Sequence, residues 1–297
     1  MLEIANALDL LLVPTWSIID LLDGCACGEL LTDVSRGAVA ETLISTQTLW
    51  SIVIVAAAAL IQAMVGFASA MFALPLLLWV GNDLMESQVL IITAMLPQNL
   101  FAVWKLRKSI DLREVIWPAA IRIAALPIGI AGLAVVLTWS ASRINQFVGV
   151  LILLAIALQA LVGIEWKNAR KPFWLVAVFG GSGVLQGISG MSGPPMVMWV
   201  HAQRYSSERA RAFLFAMYLT NFIPQIVLLW WKFGDVVFQA MLIGLLSVPL
   251  VLPTATLGLK LGSWLGDRWL RGVSMLGLVL IALSSLLEPL IQSWWND

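Results

Sequence analysis

Eight apolar stretches separated by short polar connections run along most of the chain, at residues 49–80, 88–104, 115–139, 147–164, 173–201, 212–231, 236–259 and 272–287. Stretches of about 20 apolar residues are the mark of helices that cross a bilayer. Two of the eight are long and interrupted. The first, 49–80, contains Gly66 and Pro75. The fifth, 173–201, contains a glycine- and serine-rich run from Gly180 that ends in Pro194-Pro195. A proline inside a helix removes a backbone hydrogen bond and clashes with the preceding turn, and two adjacent ones do so twice, so neither stretch reads as one straight helix. Backbone freed at membrane depth is tolerated only inside protein or along a cavity. Many secondary transporters bind their substrate at such breaks. The blander reading is a kink that only shapes packing.

Before residue 49 the pattern is different. Residues 8–22 are apolar but carry Asp9, Pro14 and Asp20, a poor span that reads as an interfacial helix,. Residues 24–46 are polar. The start of the chain lacks the basic residues of a cleaved signal peptide. The domain reading is therefore an N-terminal extension, 1–46, followed by two repeats, 47–164 and 165–297.

The repeats rest on spacing. Pro97-Gln98 with Trp104-Lys105 recurs as Pro224-Gln225 with Trp231-Lys232. Pro127 with Gly132 recurs as Pro253 with Gly258, and Gln62 with Gly66 as Gln186 with Gly190. Each half is a broken segment plus three ordinary spans.

Composition fixes the class. The chain is 61% hydrophobic and only 11% charged, where soluble domains carry roughly 25% charged residues. It reads as an all-α polytopic membrane protein whose first partner is the lipid bilayer. No nucleic-acid partner is expected. Charge placement then addresses topology. If both broken segments re-enter on the side they left, thirteen Lys and Arg fall on one side and three on the other, with Arg122 inside a span. If all eight segments cross, the split is nine and seven. Positive residues collect on the cytoplasmic side, so the first arrangement is preferred. It has three crossings per half and makes the repeats inverted. Eight crossings with parallel repeats is the alternative.

Candidate chemistry is sparse. The spans show no nucleophile, acid or metal cluster, so no enzyme, catalytic residue, metal or cofactor is expected. No nucleotide-binding loop is present. Cys25 and Cys27, one residue apart, are too close for an easy mutual disulfide,. Arg122 stands out because a charge deep in a span is costly and by default marks function. Its fork suits the oxygens of a sulfonate or carboxylate; it also suits helix carbonyls. The amides Gln62, Gln98, Gln186, Asn221 and Gln225, with Asn99, can donate to an anion or simply bridge helices. Ser69, Ser189, Gly190, Ser192 and Gly193 sit at the breaks, where a half-helix start turns free N–H groups toward a ligand. Ser192 is also placed to cap such a helix, with Pro194 in its first turn. His201 offers a proton-binding group, or a simple interfacial residue. Sodium held by backbone carbonyls is the other coupling ion left open. The run Gly258, Gly262, Gly266 allows close helix packing within one chain or across a homodimer.

At this point the chain resembles the TauE/SafE family of membrane permeases, also called sulfite exporters. That family's repeated signature is a glycine cluster, a few apolar residues and Val-Pro. Here the second half gives Gly190-Met191-Ser192-Gly193-Pro194-Pro195, with Trp199 where the family proline stands. The first gives Gly66-Phe67-Ala68-Ser69-Ala70 and keeps the proline as Pro75. The resemblance covers about residues 49–287. It implies a multi-pass carrier in the bacterial inner membrane that moves sulfite, organosulfonates or related small anions. A carrier for small carboxylates is the alternative, and an intramembrane enzyme or scaffold the less favoured one.

Overall fold

The computed structural model describes residues 45–66, 68–160, 172–203, 205–265, 272 and 275–287, and these are helical with no strand among them. The chain divides into two compact units, Met1–Thr48 and Leu49–Asp297, and the second holds the architecture. The expected interfacial helix at 8–22, the 165–171 connection, Cys25, Cys27 and Gly266 lie outside the described residues.

All eight apolar stretches become helices or helix pairs, in the expected order. The first pair is α1 (Thr46–Val65) and α2 (Ser69–Trp79). Next come α3 (Leu84–Ala94) and α4 (Leu96–Leu106), then α5 (Leu112–Val136) and α6 (Ala141–Ala160). The second broken stretch is α7 (Pro172–Ser189) and α8 (Gly193–Ala202), followed by α9 (Ser207–Phe233). The last elements are α10 (Val236–Leu246), α11 (Val248–Leu265) and α12 (Met275–Leu287). Six spans among the described residues are long and apolar enough to cross a bilayer, with α3–α4 counted as one; the bent pair α10–α11 brings the number to seven. Exposed Leu100, Phe101, Trp104, Trp117, Phe173 and Trp231 give the outside an apolar coat, as lipid contact demands,. The molecule is a multi-pass membrane protein.

Three details depart from the sequence reading. The glycines from Gly180 to Gly187 do not break α7, which stays helical to Ser189. That arm has 18 residues and is about 27 Å long, close to a full hydrocarbon core of about 30 Å. Pro75 likewise sits inside α2, and the first stretch breaks only around Gly66. In the other direction, two stretches read as single spans are interrupted, at Met95 and at Ser247, where α10 and α11 bend by 53°. Each interruption lies two residues before a proline, Pro97 and Pro249. A proline there lacks the N–H that would reach back and pushes its ring into the preceding turn.

What the α7 glycines do is pack. A Cβ at Gly187 would stand 2.7 Å from the backbone of Gly129 on α5. One at Gly183 would overlap the carbonyl oxygen of Arg122, and one at Gly129 that of Val184. Helices α5 and α7 therefore meet backbone to backbone, in the most extensive helix contact among the described residues. Elsewhere, Gly258 of α11 lies against the carbonyl of Leu60 and the side chain of Ala63 on α1. Gly258 is thus used for packing within the chain. Near the starts of α5 and α9, Glu114 accepts hydrogen bonds from Tyr205 at 2.7 Å and Arg209 at 2.8 Å. That pair is partly exposed and adds little stability on its own.

Candidate functional site

The two breaks are built alike. Helix α1 ends when Gly66, at φ +90°, donates its N–H to the Gln62 carbonyl at 2.7 Å. Helix α7 ends when Gly190, at φ +71°, donates to the Gln186 carbonyl at 2.8 Å. Both glycines take a left-handed conformation that a side chain resists, which is how glycine terminates helices. The next helix in each pair then starts within three residues. Ala68, directly before α2, also has positive φ, at 90°, a strain typical of functional backbone. Gln88 of α3 donates to the Ile188 carbonyl at 2.8 Å and so satisfies an end group of α7,.

Between the breaks is a cavity of about 60 Å³. That is room for about four waters, or one ion of a few heavy atoms. Gln62, Ser69 and Asn99 line it on the side of the first break. Arg122, Gln186, Gly190, Ser192, Gly193 and Gln225 line it on the side of the second. Tyr218 also lines it.

Arg122 is 1% exposed. Its guanidinium donates to the Met217 carbonyl at 2.7 Å, to Gln186 Oε1 at 3.1 Å and to Ser192 Oγ at 2.6 Å. All three partners are neutral, and among the described residues no carboxylate pairs with it. A buried charge without a counter-charge is expensive. Hydrogen bonds to a charged group recover only about 1.5–3 kcal/mol each. The arrangement leaves unbalanced positive charge beside the cavity, and Arg122 Nε is without a partner among the described residues.

The amides form a chain behind it. Gln186 Nε2 donates to Gln225 Oε1 at 2.6 Å, and Asn221 Nδ2 donates to the same oxygen at 3.1 Å. Asn221 therefore stands one layer behind the cavity wall. On the opposite side Gln62 Nε2 donates to Asn99 Oδ1 at 3.1 Å.

Three expected residues stand elsewhere. Gln98 is buried but does not line the cavity, and its amide has no partner among the described residues. One residue along a helix is a turn of about 100°, and it is Asn99 that faces Gln62. Ser189 turns back on α7, donating to the Leu185 carbonyl at 3.0 Å. His201 is exposed at the end of α8, 2.8 Å from the Val197 carbonyl.

Ser192 precedes α8 but does not cap it. A capping side chain accepts from the second or third helical N–H. In α8 those positions are Pro194 and Pro195, which have none. The hydroxyl is thereby left for Arg122, while the Ser192 carbonyl accepts from Ser182 at 3.0 Å. Both features were present in the sequence. Tyr218 was not singled out there, because a tyrosine in an apolar span carries no signal of its own. Its hydroxyl makes no hydrogen bond to the described residues.

No curated protein sequence matches the chain. No solved structure matches it either. A family model does, the sulfite exporter TauE/SafE, over residues 51–285, which takes in α2 to α11, both breaks and the cavity between them. The chain therefore belongs to the TauE/SafE family of membrane permeases.

Proposed function

We propose that this chain is a secondary carrier of small sulfur-containing anions, such as sulfite or organosulfonates, across the bacterial inner membrane, and that it holds them in the cavity between the two breaks. The observation that carries this reading is Arg122, buried on the cavity with only neutral partners. Around it, two helices begin with no side-chain cap, at Ala68–Ser69 and Ser192–Gly193. The uncapped N–H groups at the start of α2, and that of Gly193 at α8, donate to an anion without adding fixed charge,. Donors of moderate strength suit a carrier, since a bound ion must also leave.

The test is uptake. Purified protein in liposomes should accumulate labelled sulfite faster than empty liposomes. A panel of sulfonates, sulfate and small carboxylates, offered as competitors, then ranks the substrates. Uptake equal to that of empty liposomes for every anion overturns the reading. Competition by carboxylates alone moves the substrate class.

The same reading includes inverted halves, with 105–113 and 202–211 on the cytoplasmic side. It is supported by the charge balance and by the like construction of the two breaks. Helix α7 is long enough to make this worth a direct check. In intact cells of a variant lacking Cys25 and Cys27, Lys108→Cys and Ser206→Cys should both be shielded from a membrane-impermeant thiol reagent. Labelling of Ser206→Cys alone would show that the second broken segment crosses and that the halves run parallel.

A further inference from the structure

Arg122 is the one charged side chain that lines the cavity among the described residues. Tyr218, the other titratable one, is a neutral phenol at working pH. The backbone adds little to this balance. At each break the carboxyl end of one helix, α1 or α7, lies beside the amino end of the next, α2 or α8. Their partial charges, about −0.5 and +0.5, offset one another. Pro194 and Pro195 weaken the positive end of α8 further, because they remove two of its free N–H groups,. Arg211 packs its stem against Gly66 at the first break but is not among the lining residues, so the fixed charge on the cavity wall is that of a single guanidinium.

From this count we infer that the carrier accepts singly charged oxyanions and rejects doubly charged ones. The inference rests on the anion site proposed above and narrows its substrate class. A monoanion against Arg122 leaves the cavity neutral. A dianion leaves one buried negative charge with no partner, the costliest kind of burial. No second Lys or Arg among the described residues lines the cavity to meet it.

The opposite wall adds a preference among monoanions. The bond between Gln62 and Asn99 uses one amide N–H and one amide oxygen. Whichever way the two amides are turned, one oxygen and one NH2 of the pair stay without a partner among the described residues. Both residues line the cavity, so the free oxygen is open to a donor carried by the bound anion,. Hydrogensulfite has one in its hydroxyl; sulfite and sulfate do not. The accepted form of sulfite is then hydrogensulfite, and each sulfur carried takes a proton with it.

Calorimetric titration of the full chain in detergent tests this, in mildly acidic buffer where sulfite is present as hydrogensulfite. Methanesulfonate and hydrogensulfite should bind, and sulfate should bind about tenfold more weakly or worse. Arg122→Lys, which keeps the charge, should preserve that order at lower affinity. Gln62→Leu should weaken hydrogensulfite about fivefold more than methanesulfonate, which has no hydroxyl. Sulfate binding as tightly as methanesulfonate, at a site lost in Arg122→Gln, overturns the inference and leaves the anion site standing. Failure of all three anions to bind removes both.

Discussion

Replacing Gly187 by valine should leave little folded protein. The new Cβ would stand 2.7 Å from the Cα and carbonyl carbon of Gly129 and from the nitrogen of Ile130. All three are backbone atoms, so no side-chain rotation relieves the overlap. The helices must separate, and every contact along α5 and α7 loosens with them. Overpacking a tight core costs about 1–3 kcal/mol. Against fixed backbone the top of that range, about 3 kcal/mol, is the floor to expect. Gly181 supplies the control. It lies on the same helix with nothing within 4 Å of its Cβ position. Gly181→Ala should match the parent in unfolding temperature and size-exclusion profile, while Gly187→Val falls well below it. Equal behaviour of the two would mean that α5 and α7 do not meet as described.

Arg122→Gln should abolish anion binding and leave the fold in place. The two outcomes have separate reasons. Binding loses the one charge on the cavity. With about 1.5–3 kcal/mol per charge-assisted hydrogen bond, loss of two such bonds to a ligand amounts to about a hundredfold in affinity or more. The fold survives because the partners of Arg122 are a carbonyl, an amide and a hydroxyl. Truncating one member of a buried ion pair strands its counter-charge, often at about 3–5 kcal/mol. No counter-charge is stranded here. Arg122→Lys should fall between parent and glutamine, since it keeps the charge but not the fork. The measurements are a binding isotherm and an unfolding temperature on the same preparations. Full binding by a folded Arg122→Gln variant would assign this side chain to helix packing.

Much of this was legible in the sequence, and the failures have physical causes. Eight apolar stretches gave eight helical segments, because the bilayer leaves no other way to satisfy a spanning backbone. The break at Gly190 was readable from glycine followed by Pro194-Pro195. The glycines just before it were not. Gly183 and Gly187 have the composition of a break and serve as a packing surface, and only the position of α5 tells the two apart. Prolines were equally ambiguous. Pro97 and Pro249 mark interruptions, whereas Pro75, Pro118, Pro127, Pro224 and Pro253 sit inside continuous helices. Repeat spacing pointed to Gln98 as the counterpart of Gln225. The cavity takes Asn99 instead, since an offset in the sequence does not fix helix rotation to within one residue. Arg122 was the clearest signal, because charge inside a span is rare whatever surrounds it.

The seat of Arg122 has a mechanical consequence. Gly183 rests against its peptide unit, and Gly129 and Gly187 join the same two helices one turn further along. The guanidinium is carried by a helix pair that meets backbone to backbone. A transport cycle exposes the ion to each side of the membrane in turn, so something must move relative to something else. For the carrier proposed above, α5 and α7 would act as the stator and hold the charge still, while helices that touch this pair through side chains would open and close around the anion.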